Sequence, residues 1–273
     1  MVLPLGDDNS DRRTTPYVNY ALIAINVFVF VVLQGMGTND RFTYAFSTVP
    51  QEILTGKDIE TPPKKVRVPT GQVIESPGLV KVTDAPGFVY LTLITSMFMH
   101  GSIAHILGNM WFLWIFGDNV EDAVGHGRYL VFYLICGVAA SLAHVFSVAL
   151  LSGIDTEEAL VPSLGASGAI SGVLGGYLLL FPYRRVTVIL FRILTQVPAW
   201  AAIGLWFAFQ VISSLGVLGG GAQLGGVAYA AHIGGFLVGI ALIQVFTLGR
   251  DTNRRRPPWS EQYYDEGQGR WRR

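Results

Sequence analysis

Long stretches without a charged residue constrain this chain more than any other feature. Four of them lie between Arg13 and Asp40, Asp84 and Asp118, Arg128 and Asp155, and Glu158 and Arg184. A fifth, 193–249, is longer and is divided by the Gly-rich segment 216–226. A helix needs ~20 apolar residues to cross the ~30 Å hydrocarbon core of a bilayer. The pattern therefore predicts an all-α membrane protein with six transmembrane helices.

The positions of the positive charges predict the orientation of these helices. We place the six spans at 17–34, 97–117, 129–151, 166–183, 193–215 and 227–248. An even number of spans puts both termini on one side, together with Arg12, Arg13, Arg128 and the seven arginines from Arg250 onward. The short loops on the other side, around 152–165 and 216–226, contain no Lys or Arg. Because positive charge marks the cytoplasmic side, both termini are predicted to be cytoplasmic.

This topology divides the chain into three parts. Residues 1–16 form a cytoplasmic N-terminal segment, 17–248 a six-helix membrane domain, and 249–273 a basic cytoplasmic tail. The first span is interpreted as an uncleaved anchor. A long first outer loop, about 35–96, has a Pro-rich middle that is either a small hairpin or a flexible insertion. The single cysteine, Cys136, excludes an intrachain disulfide.

Polar groups inside the predicted spans are the candidates for function, because such groups are costly in a bilayer. The second span contains His100, His105 and Asn109; the fourth begins with Gly165-Ala166-Ser167-Gly168; the sixth contains His232. Each signal is weak alone, since a transmembrane serine commonly bonds a carbonyl of the preceding turn. A lone histidine in a span is likewise often a packing residue. Only their arrangement can decide between packing and chemistry.

The topology brings these groups to a similar depth. Ser167 lies in the first turn of its span, and His232 lies on the order of 10 Å below the outer surface at ~1.5 Å per residue. Spans four and six also carry small residues at every fourth position, which lets helix backbones approach closely. These residues are Gly168, Gly172 and Gly176 in span four and Ala231, Gly235 and Gly239 in span six. Close packing predicts that His232 can act as general base for Ser167.

The remaining polar groups suit acyl transfer better than metal binding. The side chains of His105 and Asn109 and the backbone N–H of Ser167 are candidate donors for a developing oxyanion. No span contains a carboxylate that would orient His232, so the prediction is a Ser–His dyad. The spacing His100-x4-His105 is not the HExxH pattern of zinc enzymes. We predict no metal and no cofactor.

These motifs resemble those of the rhomboid proteases. That family has H-x4-H-x3-N on its second helix, G-x-S-G at the start of the fourth and A-H-x-x-G in the sixth. The matching residues here are His100, His105 and Asn109; Gly165, Ser167 and Gly168; and Ala231, His232 and Gly235. The resemblance extends through 116–134 and 197–210. Leu91-Thr92 stands where many members have Trp-Arg, and Ser171 where some have a tyrosine that packs on the catalytic histidine.

The resemblance implies an intramembrane serine endopeptidase in the six-helix form of bacteria and archaea. Ser167 would be the nucleophile and His232 the base, with His105, Asn109 and the Ser167 backbone N–H as the oxyanion hole. His100, Gly165 and Gly168 would support them. The implied partners are the lipid bilayer and transmembrane proteins cut near their outer ends, and no nucleic acid. The implied location is a prokaryotic inner membrane, with the active site opening to the outer side.

Two other functions are compatible with six apolar spans. One is a non-proteolytic rhomboid-like protein that binds membrane clients, although such relatives usually lack the Ser or the His, and both are present here. The other is a small channel or transporter. Against it, no span contains Asp, Glu, Lys or Arg beyond the interfacial Arg192, whereas a coupled carrier usually needs such a group.

Overall fold

The computed structural model describes residues 2–67, 73–76, 78–83, 85, 87–190, 193–214, 229–250, 264–265 and 270–271. Most of these residues are helical. Along this part of the chain the helices are α1 (Tyr17–Phe28), α2 (Asp40–Ala45), α3 (Pro50–Thr55), α4 (Thr92–Thr95), α5 (Ile103–Val124), α6 (His126–Leu151), α7 (Ser167–Leu180), α8 (Ala199–Ser214) and α9 (Tyr229–Phe246). The predicted loop 216–226 and most of the tail 249–273 lie outside the described residues.

Each of the six predicted spans overlaps one of the longer helices, but these helices differ in length. Among the described residues, α6 and α9 are long and apolar enough to cross a membrane. A third candidate arises if α5 is joined to the helical segment Phe88–Phe98, from which it is bent by 79°. The other apolar helices are shorter: α1 with its π-helical continuation Val29–Leu33, α7 and α8.

The prediction of an all-α protein is wrong in one respect, because the structure contains β-sheet. The described strands are β1 (Val2–Asp7), β2 (Lys64–Arg67), β3 (Val73–Ser76), β4 (Arg185–Leu190), β5 (Ile193–Pro198), β6 (Tyr264–Asp265) and β7 (Arg270–Trp271). Strands β1, β4 and β5 form an antiparallel sheet in that order. The helix of the fifth predicted span consequently begins at Ala199, because Ile193–Pro198 pairs with the β-branched residues of β4 instead.

Strand β1 attaches the N-terminal segment to the helices. The indole Nε1 of Trp111 on α5 donates to the carbonyl oxygen of Pro4 across 2.7 Å. The Asp7 carboxylate accepts from the Tyr177 hydroxyl of α7 at 2.5 Å and from the Asn119 amide of α5 at 2.8 Å. Burial raises the pKa of Asp7 to about 7. For segment 1–16 the sequence predicted only a cytoplasmic location. Its residues Pro4 and Asp7 form hydrogen bonds with α5 and α7.

The acidic end of α5 holds the start of α1. The Glu121 carboxylate accepts from the backbone N–H groups of Val18 and Asn19 at 3.0 and 2.7 Å. The first N–H groups of a helix have no partner within the helix, and its N-terminus favours negative charge. Asp118, three residues earlier, pairs with Arg12 at 2.7 Å. This end of α5 is thus both a cap for α1 and an anchor for the N-terminal segment.

Segment 35–96 contains the hairpin that was one of its two predicted forms. Strands β2 and β3 pair antiparallel, from Lys64 opposite Ser76 to Arg67 opposite Val73. Nearer the helices, the buried Thr48 exchanges backbone hydrogen bonds of 3.0 and 2.8 Å with Ser163. Because Ser163 lies four residues before Ser167, this bridge fixes the approach to helix α7.

Candidate active site

Helix α7 begins at Ser167, and the residues before it form a tight approach. Gly165 has a φ of +122°, in the region that disfavours residues with a side chain. Its backbone N–H donates to the carbonyl oxygen of Ser96 across 2.8 Å. One turn into the helix, the Ser171 hydroxyl bonds back to the carbonyl oxygen of Ser167 at 2.6 Å. The backbone around Ser167 is therefore held from both sides.

Helices α7 and α9 meet through their backbones, as the small-residue stripes predict. A Cβ added to Gly235 would lie 2.1 Å from the carbonyl oxygen of Gly168. One turn further, a Cβ on Gly239 would lie 2.0 Å from the carbonyl oxygen of Gly172. Neither position has room for a methyl group, so the two helices approach as closely as backbone allows.

This approach brings the predicted nucleophile and base together. His232, the fourth residue of α9, has its ring Nε2 2.8 Å from Ser167 Oγ. The pair is partly buried. The distance is that of a strong hydrogen bond between a hydroxyl group and an imidazole nitrogen, and general-base activation needs the two groups this close.

His105 and Asn109 of α5 face the same turn from the other side. A Cβ added to Gly165 would lie 2.8 Å from His105 Nε2 and 3.6 Å from Asn109 Nδ2. Asn109 is only 8% exposed, and among the described residues its Nδ2 has no hydrogen-bond partner. A buried donor without a partner is uncommon. The donors predicted for an oxyanion thus lie beside the turn that precedes Ser167.

All of these residues lie within a recognised domain. The sequence model of the rhomboid domain matches residues 88–248, more than half of the chain. The chain belongs to the rhomboid family.

Individual relatives come from bacteria and from mitochondria. This rhomboid is 37% identical over 224 residues to Rhomboid protease GluP of Bacillus subtilis, covering 80% of this chain and 35% of that protein. It is 33% identical over 151 residues to the mitochondrial Rhomboid protein 1 of Saccharomyces cerevisiae, covering 55% and 40%. It is 28% identical over 151 residues to the mitochondrial Presenilin-associated rhomboid-like protein A of Danio rerio, covering 55% and 36%. The chain thus spans well under half of each relative.

Three residues that the sequence analysis did not single out surround His232 in this rhomboid. Gln210 Oε1 lies 2.9 Å from the second ring nitrogen, Nδ1. The rings of Trp206 and Tyr229 lie 6.2 and 6.5 Å from the imidazole, centroid to centroid. These two rings, rather than residue 171, supply the aromatic contacts of His232 among the described residues. The sequence does contain a signal for Gln210, because this residue is a polar side chain within an apolar helix.

His100 was predicted as a supporting residue, and its ring contacts the ring of His105. Its side chain is fully buried, and its ring meets the ring of His105 edge-on at 5.1 Å. Its backbone is bracketed by Gln34, whose side chain accepts from the His100 N–H at 3.0 Å and donates to its carbonyl oxygen at 2.9 Å. His100 is therefore held between His105 and Gln34, which follows the π-helical segment Val29–Leu33.

Leu91-Thr92, which stands where many rhomboids have Trp-Arg, lies in a segment held by several hydrogen bonds. The Thr92 carbonyl oxygen accepts from the Thr48 hydroxyl at 2.8 Å, and the Thr92 hydroxyl donates to the Val89 carbonyl oxygen at 2.6 Å. Thr48 Oγ1 is also 2.9 Å from Ser96 Oγ. A small network of hydroxyl groups thus links two parts of segment 35–96 and includes Ser96, whose carbonyl oxygen holds Gly165.

Proposed function

We propose that this rhomboid is an intramembrane serine endopeptidase that cuts transmembrane segments of other proteins with a Ser–His dyad. The observation that carries the proposal is the 2.8 Å contact between Ser167 Oγ and His232 Nε2, with the unpartnered Asn109 amide across the same turn. Ser171, one turn later, instead bonds a carbonyl of its own helix.

The reaction follows from these positions. Ser167 Oγ attacks the substrate carbonyl carbon while its proton passes to His232 Nε2. The oxyanion that forms accepts hydrogen bonds from Asn109, from His105 Nε2–H and from the backbone N–H of Ser167, which begins its helix and has no partner within it. His232 then gives its proton to the leaving amine as the C–N bond breaks. Water attacks the acyl-enzyme with His232 again as base, releasing the acid and free Ser167.

The proposed reaction requires an extended substrate strand rather than a helix. An intact transmembrane helix hides its carbonyl groups in its own hydrogen bonds. A substrate segment must therefore unwind near the dyad before Ser167 can reach it. Because Ser167 and His232 lie in the first turns of α7 and α9, the cut falls near the outer end of the substrate segment.

The proposed setting is a prokaryotic inner membrane crossed six times, with both termini in the cytoplasm. The shorter helices α1, α7 and α8 are counted among these six crossings. The bacterial relative covers 80% of this chain and the mitochondrial ones 55%, which favours the bacterial setting. Segment 35–96 is then the long first outer loop.

The function is tested by incubating the purified protein in detergent with a panel of transmembrane reporter peptides. We expect the wild-type protein to cut at least one reporter near its outer end, with the position read by mass spectrometry. The Ser167→Ala protein, prepared identically, is the control for contaminating proteases. Capture of reporters without any cut by the wild type would instead favour the client-binding function and contradict the proposal.

The topology is tested with single cysteines in a background in which Cys136 is replaced by serine. In intact cells, a membrane-impermeant maleimide should label Lys64→Cys in the outer loop and leave Ser260→Cys in the tail unlabelled. Both sites should react after the membrane is opened, which controls for reactivity. Labelling at 260 in intact cells would reverse the proposed orientation.

A further inference from the structure

The base of the proposed dyad has a second polar neighbour besides Ser167. Gln210 lies on α8, whereas Ser167 and His232 lie on α7 and α9. Its side chain is 7% exposed, and its Oε1 lies 2.9 Å from His232 Nδ1. The two ring nitrogens of His232 are thus both engaged, Nδ1 by an amide oxygen and Nε2 by the serine hydroxyl.

The chemistry of the amide oxygen decides where the imidazole proton sits. A carbonyl oxygen only accepts hydrogen bonds, so a contact of 2.9 Å requires the proton on Nδ1. A neutral imidazole has one N–H, which leaves the lone pair on Nε2, facing Ser167. The opposite tautomer would place a proton between Nε2 and Oγ, and His232 could not accept the serine proton.

We propose that Gln210 is a positioning residue that holds His232 in the Nδ1–H tautomer and fixes the plane of its ring. The inference rests on the proposed peptidase function and deepens it, because the dyad becomes a Ser–His–Gln arrangement. A dyad was predicted because the spans contain no carboxylate that could orient His232. The amide supplies the same acceptor without placing a charge in an apolar helix, where an unpaired carboxylate is costly.

The amide also differs from a carboxylate in charge, which matters during the reaction. When His232 holds the serine proton it carries a positive charge, and Gln210 stabilises that ring by a hydrogen bond alone. Replacing the orienting carboxylate of a serine-protease triad with an amide lowers turnover by ~10⁴-fold through the wrong tautomer. Here the amide orients the ring correctly but adds no charge, so its loss should cost less: about 10- to 100-fold, the effect of losing one hydrogen bond to a charged group.

The tautomer can be measured directly in the wild-type protein. Nitrogen-15 spectra of histidine-labelled protein distinguish protonated from unprotonated ring nitrogens, and the His232 signals are assigned by their absence in His232→Ala. We expect His232 to carry its proton on Nδ1. A proton on Nε2 in the resting wild type would overturn the proposal, whether or not any variant folds.

Variants of Gln210 then test the consequence for chemistry. Gln210→Leu should lower kcat and the rate of labelling of Ser167 by a small fluorophosphonate by about 10- to 100-fold, with KM little changed. Gln210→Glu, which keeps an oxygen at the same place, should recover most of the labelling rate. Ser213→Ala, a buried change on the same face of α8, controls for disturbance of the helix and should label at the wild-type rate.

The outcomes separate the two proposals. A folded Gln210→Leu protein that reacts at the wild-type rate contradicts the role of Gln210 and leaves the peptidase function intact. A wild-type protein that neither cuts reporters nor reacts with the fluorophosphonate contradicts the peptidase function itself. A loss of kcat in Gln210→Leu with the Nδ1–H signal unchanged would mean that the residue acts through packing, which also contradicts the proposal.

Discussion

Replacing either member of the dyad is expected to abolish cleavage. Ser167→Ala removes the nucleophile, and His232→Ala removes the group that takes its proton at 2.8 Å. Both variants should stay folded, because each change only shortens a side chain beside the backbone contact of α7 with α9. Reporter cleavage and fluorophosphonate labelling measure the loss, with thermal unfolding as the check on folding. Ser147→Ala, whose hydroxyl bonds a carbonyl within α6, is the matched control and should keep full activity.

Loss of one oxyanion donor should be milder than loss of the dyad. Removing a donor typically slows turnover by ~100- to 1000-fold, because the other donors still act. Asn109→Ala and His105→Ala should therefore cleave slowly under single-turnover conditions. Both should still be labelled by the fluorophosphonate, only more slowly, whereas Ser167→Ala should not be labelled. Wild-type rates in both donor variants would mean that the two side chains serve packing, and undetectable labelling in both would place them in the activation of Ser167.

A single methyl group between α7 and α9 should strongly slow the reaction. In Gly239→Ala the new Cβ would lie 2.0 Å from the carbonyl oxygen of Gly172 and 2.7 Å from its Cα. Backbone atoms cannot rotate away, so the helices must separate, which costs ~1–3 kcal/mol of stability. Since Ser167 and His232 sit on the same two helices, their contact lengthens, and a displacement of about 1 Å can slow a reaction ~100-fold.

Gly204→Ala is the matched change outside this contact. Gly204 lies in α8, and a Cβ there would meet no atom within 4 Å. Alanine favours a helix by up to ~1 kcal/mol over glycine, so this variant should be at least as stable as the wild type. Thermal unfolding and reporter cleavage of both variants make the comparison. Equal activity in Gly239→Ala and Gly204→Ala would show that the α7–α9 distance does not control the chemistry.

The parts of the structure that could be predicted from sequence depend on local patterns. Uncharged stretches located the apolar helices, since charge is excluded from such segments whatever their neighbours. Polar residues at unusual places singled out Ser167, His232, His105 and Asn109, and the spacing of glycines predicted which helices meet. These signals lie within one helix each, so they can be recognised without knowledge of the fold.

The parts that were missed depend on distant partners. Residues 193–198 are uncharged and were assigned to a span, but they form β5 because β4 is available to pair with them. No local sequence pattern in β1 predicts that it pairs with β4. Gln210 was overlooked because a neutral amide gains a role only from the ring it faces, and that ring is 22 residues away on another helix.

Strand β1 also sets an order of events for the growing chain. The segment emerges from the ribosome long before its partners: the Tyr177 hydroxyl that Asp7 accepts lies 170 residues later, and the Arg184 guanidinium that donates to the Asp8 carbonyl lies 176 residues later. Contacts between such distant residues close slowly. The contacts of this segment with Tyr177 and Arg184 therefore form after those with Trp111 and Asn119, which are synthesised earlier. The segment is fully docked only when the later contacts have formed, and its protection from added protease would report that stage.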